Sequence, residues 1–234
     1  MPGRIPATVA LGASPLHVPP LGVGTWQWGD RAIWRYGTDH TRADCEAAYA
    51  SSRAAGITFF DTAEIYGRGA SEELLGAQVR KDAAPPVVAT KFAPLPGRLT
   101  AASVARALDA SLRRLGMGVV DLYQVHWPFT LLNLDTVMLA LADQVAAGRV
   151  RAVGVSNFSA RQMERARTVL ARRNLPLASN QVSYSLLHRD PERNGVLEAC
   201  RQLDVRLIAY SPLSQGALTG KYHEGVRIRA VRAL

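Results

Sequence analysis

Two hydrophobic rhythms alternate along the chain. Short runs rich in β-branched and aromatic residues are apolar at successive positions, and longer stretches between them place apolar residues every three or four positions. The short runs are GVGTWQW, ITFFDTA, PVVATKF, VVDLYQVHW, VRAVGVSNF, LASNQVSY and VRLIAYSPL. Between them, Val104, Leu108, Leu112 and Leu115 fall on one helical face, as do Leu134, Val137, Leu141 and Val145, and Met163, Ala166 and Leu170. Ser159 and Gln162 have the spacing of a capping box, and Ser71, Glu72 and Glu73 read as a cap followed by an acidic first turn. Gly56, Gly116 and Gly148 read as helix stops.

Strands apolar on both faces, with helices between them, imply a parallel sheet. An open doubly wound sheet with a dinucleotide site calls for G-x-G-x-x-G after its first strand. The nearest stretch, Gly22 to Gln27, lacks the last glycine and precedes no helical pattern. The expected fold is therefore α/β, a (β/α)8 barrel of TIM type. The opening VALGASPLHVPPLG is expected to form an N-terminal β-hairpin across the barrel floor. No linker interrupts the alternation, so residues 1–234 read as a single domain.

With 48% apolar and 20% charged residues, the composition is that of a globular protein. No apolar run is long enough to cross a bilayer, and the first residues lack the apolar stretch of a secretory signal. Two widely spaced cysteines, Cys45 and Cys200, suit a reducing cytoplasm. The net charge of +9 is spread through stretches such as RQMERARTVLARR, which reads as a solvated basic surface rather than a nucleic-acid or membrane interface.

The chemistry lies at the ends of the runs. Asp61 closes the second run, Lys91 the third, His126 the fourth, and Ser156 and Asn157 the fifth; Gln181 lies in the sixth and Tyr210 closes the seventh. In a barrel these C-terminal ends converge on one mouth. Singly, each has a structural reading: Asp61 a turn, Lys91 a snorkelling stem, Tyr66 a loop aromatic, His126 a core histidine. Jointly they suit carbonyl reduction. Lysine is rarely buried without a partner, and Asp61 on the neighbouring strand supplies one. The ammonium is expected to lower the pKa of Tyr66, which protonates an oxygen as charge develops on it, while His126 donates a hydrogen bond to that oxygen. No side chain delivers hydride, so a nicotinamide cofactor is implied.

The segments LGVGTWQWG, GITFFDTAEIYGRGASEELLG, VVATKF, LDASLRRLGMGVVDLYQVHWP, GRVRAVGVSNFS, NQVSYSLL and IAYSPLSQGALTGKY resemble the aldo-keto reductases, nicotinamide-dependent (β/α)8-barrel oxidoreductases. The resemblance implies a catalytic tetrad of Asp61, Tyr66, Lys91 and His126. It implies that Ser156, Asn157 and Gln181 hold the nicotinamide carboxamide, that Tyr210 stacks on the ring, and that Ser211, Leu213 and Gly216 follow the pyrophosphate. The implied cofactor is NADPH, with NADH open, and the partner is a small-molecule carbonyl substrate. Trp26, Trp28 and Trp127 flank the expected mouth, with Trp28 and Trp127 as substrate-pocket candidates.

After Tyr222 the sequence HEGVRIRAVRAL departs from the family pattern. The reading therefore expects a barrel lacking its last helix, strand and helix. Beside a working reductase stand two other readings: a truncated fragment or cofactor-binding regulatory subunit, and a lyase using Lys91 as a Schiff-base nucleophile.

Overall fold

A computed structural model of the chain describes residues 8–129 and 131–220. The segment on which the expected loss of the last helix, strand and helix rests lies largely outside the described residues.

The chain opens with two short antiparallel strands, β1 (Val9–Ala10) and β2 (His17–Val18). Seven parallel strands follow, one for each apolar run: β3 (Val23–Gly24), β4 (Phe59–Asp61), β5 (Val87–Phe92), β6 (Val120–Val125), β7 (Val150–Ser156), β8 (Leu177–Ser183) and β9 (Arg206–Tyr210). They lie side by side in sequence order. The helices between them are α1 (Arg42–Ala54), α2 (Ala70–Val79), α3 (Ala101–Leu115), α4 (Leu134–Ala146), α5 (Ala160–Ala171), the short α6 (Asp190–Arg193) and α7 (Val196–Gln202). No helix among the described residues is long and apolar enough to cross a membrane.

The sheet is strongly curled. In a flat sheet β4 and β8, four strands apart, would be separated by roughly 19 Å. Instead the Gln181 side chain on β8 donates a 3.0 Å hydrogen bond to Asp61 on β4. That contact crosses the interior, as in a barrel.

Two apolar layers hold the curl. Outside the sheet, Phe60, Val88, Tyr123, Val125, Val153 and Val155 pack under the helices. The helical faces read from spacing are the ones that meet them: Val104, Leu108 and Leu115 are fully buried, as are Met163, Ala166 and Leu170. Inside, at the lower end of the strands, Phe59, Ala89, Leu122, Ala152 and Ala178 meet Leu11, Leu16 and Val18 of the hairpin. The hairpin therefore plugs the floor as expected. A register shift opposite Val153/Gly154 in the β7–β8 pairing turns both Ala178 and Ser179 inward and sends Asn180 out to Phe158 and Met163.

Local signals were mostly kept. Ser159 and Gln162 form the capping box of α5, Gly116 caps α3 at φ 66°, and Gly56 and Gly148 follow α1 and α4 with positive φ. Ser71 differs. It lies inside α2, because a left-handed turn through Gly67, Arg68 and Gly69 starts that helix earlier. Its hydroxyl donates to the Thr25 carbonyl and meets the hydroxyls of Thr25 and Thr62, which ties β3, β4 and α2 together. Cys45 and Cys200 are buried free thiols whose pKa values burial pushes up to about 11.

Candidate active site

Four side chains from β4, the loop after it, β5 and the end of β6 come together at the C-terminal end of the sheet. Lys91 is fully buried. Its Nζ donates to Asp61 Oδ1, to the Thr62 carbonyl at 2.8 Å and towards the Tyr66 hydroxyl at 3.4 Å. Burial works against the ammonium. The Asp61 carboxylate and Tyr66 outweigh it, so the Lys91 pKa stands above the ordinary lysine value. All three ammonium protons are engaged and the charge is held. This leaves no free amine nucleophile and argues against the Schiff-base reading.

Tyr66 reaches this position through its own loop. Gly67 and Arg68 adopt φ 55° and 58°, reversing the chain within two residues of the tyrosine. Gly67 is also a contact requirement: a Cβ there would lie 2.6 Å from the Gly29 carbonyl oxygen. The loops after β3 and β4 thus pack backbone on backbone, and the Trp26 ring lies 6.2 Å from Tyr66. Glu64 clamps the same loop to β5, accepting from the Ala93 amide at 2.6 Å and from Arg98, which also donates to the Ala93 carbonyl at 2.7 Å.

One expectation fails here. Desolvation raises the Tyr66 pKa above that of free tyrosine and exceeds the lowering by Lys91. The ammonium acts in the expected direction, but burial of the hydroxyl wins. At neutral pH Tyr66 is a phenol that holds its proton.

His126 is buried, with its ring 5.6 Å from Tyr66 in an edge arrangement and stacked on Trp127 at 3.9 Å. Desolvation, then the Lys91 charge, press its pKa down to about 2, so the imidazole is neutral. Its Nδ1 is buried without a hydrogen-bond partner among the described residues. An unpaired lone pair costs less than an unpaired N–H, so the favoured tautomer carries the proton on Nε2.

The remaining candidates form a second cluster on β7, β8 and β9. Ser156 Oγ donates to the Gln181 carbonyl at 2.8 Å. Asn157, at φ 62°, donates to Ser156 Oγ at 3.1 Å and accepts from the Tyr210 hydroxyl at 3.1 Å. The Gln181 amide donates to Asp61 Oδ2, joining the two clusters. Beyond Tyr210, Ser211, Ser214, Gln215 and Gly216 all adopt positive φ, and Leu213 is exposed. Asn157, Tyr210, Ser211, Ser214 and Gln215 border a recess of about 700 Å³.

Among the tryptophans the structure separates neighbours. Trp28 is buried beside Cys45 and Tyr49 in the layer outside the sheet. Trp26 is the indole facing Tyr66, with Trp34 edge-on to it at 5.3 Å, and Trp127 backs His126. Trp28, the pocket candidate, borders a separate recess of about 480 Å³ with Trp34, His40 and Cys45, while Trp26 is the indole nearer Tyr66. Three polar residues with structural consequences escaped the sequence reading: Glu64, Arg98 and Gln124. Gln124 donates to Asp61 Oδ2 at 3.0 Å. Its signal was present, since a glutamine in an otherwise apolar run lies on the same strand face as His126.

The sequence profile of the Aldo/keto reductase family matches residues 20–233. The chain is 39% identical over 221 residues to a chloroplastic pyridoxal reductase of Arabidopsis thaliana, covering 89% of this chain and 60% of that protein. It is 35% identical over 217 residues to the aldo-keto reductase YhdN of Bacillus subtilis, covering 87% and 61%. The chain thus spans about 60% of the length of these curated relatives. Among solved structures, an aldo-keto reductase of Klebsiella pneumoniae in complex with NADPH superposes with a TM-score of 0.75 at 31% identity, covering 90% of this chain and 70% of that one. A glycerol dehydrogenase of Gluconobacter oxydans superposes at 0.80 with 29% identity, covering 96% and 68%.

Proposed function

We propose that this chain, which belongs to the aldo/keto reductase family, carries the site for reducing aldehyde or ketone carbonyls to alcohols with NADPH. The observation that carries the reading is the fully buried Lys91 bonded to Asp61 and directed at the Tyr66 hydroxyl, with neutral His126 against the same ring.

The residues have distinct tasks. Nε2–H of His126 donates to the substrate carbonyl oxygen and sets its position. Tyr66 gives that oxygen a proton as negative charge develops. Lys91 stabilises the resulting phenolate, and Asp61 keeps Lys91 charged and in place. Trp26, Trp34 and Trp127 wall the approach with flat apolar faces.

The residues at β7–β9 fit a nicotinamide cofactor. Ser156, Asn157 and Gln181 carry hydroxyl and amide groups of the kind that pair with a carboxamide, here bonded to one another and to Asp61, and Tyr210 offers a half-buried ring at the edge of the recess. Ser211, Ser214, Gln215 and Gly216, all left-handed, make a backbone turn of the kind that approaches phosphate oxygens closely. When bound, the cofactor supplies the hydride that no side chain can. The chain's own part is to hold the ring edge at β7–β8 and to keep water from the carbonyl.

The pyridoxal reductase relative makes pyridoxal one aldehyde to assay, beside benzaldehyde. Purified chain with NADPH and either aldehyde is expected to consume the cofactor and form alcohol in equal amounts. NADPH binding without alcohol formation from any aldehyde or ketone tried would favour the regulatory-subunit reading instead.

A further inference from the structure

Asp61 divides its carboxylate. Oδ1 takes Lys91, while Oδ2 takes two side-chain amides, Gln124 from β6 and Gln181 from β8, each at 3.0 Å. Gln181 is also the proposed carboxamide ligand, so its amide has two competing uses. Gln124 has no second use: it is fully buried, and among the described residues its side chain bonds through the amide nitrogen to Asp61 alone.

The other end of Gln124 is costly to the fold. Its Oε1 is buried with no hydrogen-bond partner among the described residues. An apolar side chain of the same length would fill this space without an unsatisfied acceptor. The space itself depends on β7. A Cβ at Gly154 would lie 3.0 Å from Gln124 Cγ and 2.5 Å from Ser179 Oγ, so Gly154 lets the amide lie flat beneath the mouth. A half-satisfied glutamine kept against its folding cost points to the partner that it does satisfy.

We propose that Gln124 is a positioning residue: it holds the Asp61 carboxylate turned towards Lys91, and it does so when cofactor engages Gln181. The catalytic consequence rests on the reductase reading above; the hold on Lys91 does not. Without Gln124, Oδ2 keeps the Gln181 amide alone; the carboxylate is held less firmly, and once cofactor claims that amide it turns about its last bond and the ammonium loses part of its partner.

Lysine is scarce, which makes a direct test practical. The sequence has three lysines, Lys81, Lys91 and Lys221, so lysine labelled with carbon-13 at Cε gives three resonances whose pH midpoints are read without turnover. In the full chain, Gln124→Met is expected to lower the Lys91 midpoint by about half a unit or more. Its thermal midpoint should be equal to or above that of wild type, and kcat should fall about ten- to hundredfold, with NADPH affinity little changed. Gln124→Glu, which can share a proton with Asp61, is expected to restore part of the Lys91 midpoint, and it provides the comparison if the methionine variant does not fold. An unmoved Lys91 midpoint in a folded variant overturns the proposal, whether or not wild type reduces carbonyls. A shifted midpoint in a chain that reduces nothing retains the positioning role and removes the reductase reading.

Discussion

Lys91 and Tyr210 each lie at the C-terminal end of a strand of the same sheet, yet their surroundings are opposite. Lys91 is the penultimate residue of a strand with five of six residues buried, and its partners are in place. Tyr210 ends β9, where no residue is buried, and the loop beyond it holds three non-glycine residues at positive φ. The Lys91 flank is buried with its hydrogen bonds made, while β9, beyond which the described residues end at 220, is exposed and followed by left-handed residues. Left-handed non-glycine residues clustered in one loop are the kind of held strain found at ligand-binding loops. The difference predicts a division of labour: changes on the first flank strike turnover and stability, and changes on the second strike cofactor affinity.

The sharpest way to break that division is Lys91→Met. It leaves Asp61 as a buried carboxylate without its cation, expected to cost about 3–5 kcal/mol in denaturant unfolding. Adding Asp61→Asn removes the stranded charge, so the pair is expected to recover most of the stability and none of the turnover. A Lys91→Met protein as stable as wild type would mean that the pair is not desolvated as described.

Acid provides the next test. Folded His126 titrates at about 2, whereas a free imidazole titrates near 6.5. Below about 6.5 the unfolded chain therefore takes up a proton that the folded chain refuses. This contribution is fully present above that pH and is lost as the pH falls, at up to about 1.4 kcal/mol per pH unit. Unfolding of wild type and His126→Asn between these limits should diverge with that slope. Parallel curves would place the imidazole in contact with water.

On the open flank the expected effect is smaller. Tyr210→Ala removes a stacking face and should weaken NADPH binding by about 1–2 kcal/mol, read by fluorescence titration, with kcat at saturating cofactor nearly unchanged. A loss of kcat matching that of Lys91→Met would erase the distinction between the flanks.

The sequence made one flank far more legible than the other. All seven parallel strands and the floor hairpin were readable because each strand lies in a run rich in apolar residues, even β3 and β9, which have no buried residue. Asp61, Lys91 and His126 stood out as polar residues closing such runs. What failed depends on geometry that periodicity does not carry. Trp26 and Trp28 share strand parity, but β3 ends at Gly24 and a turn bonding Trp28 N–H to the Thr25 carbonyl sends their rings to different layers. The direction of the Tyr66 shift turns on how deeply its hydroxyl is buried, which neighbouring charges in sequence do not reveal. Ser71 looked like a helix cap because nothing in sequence marks Arg68 as left-handed. Gln124 was visible but has no meaning until β4 and β6 face each other across the interior.

The central claim is that a phenol held protonated beside a buried ammonium delivers the proton. Tyr66→Phe tests it most directly, with NADPH binding and aldehyde turnover measured on the same preparation. The account predicts wild-type cofactor affinity and thermal midpoint, with kcat lowered by about 10² to 10⁴. Turnover within a few-fold of wild type would contradict it.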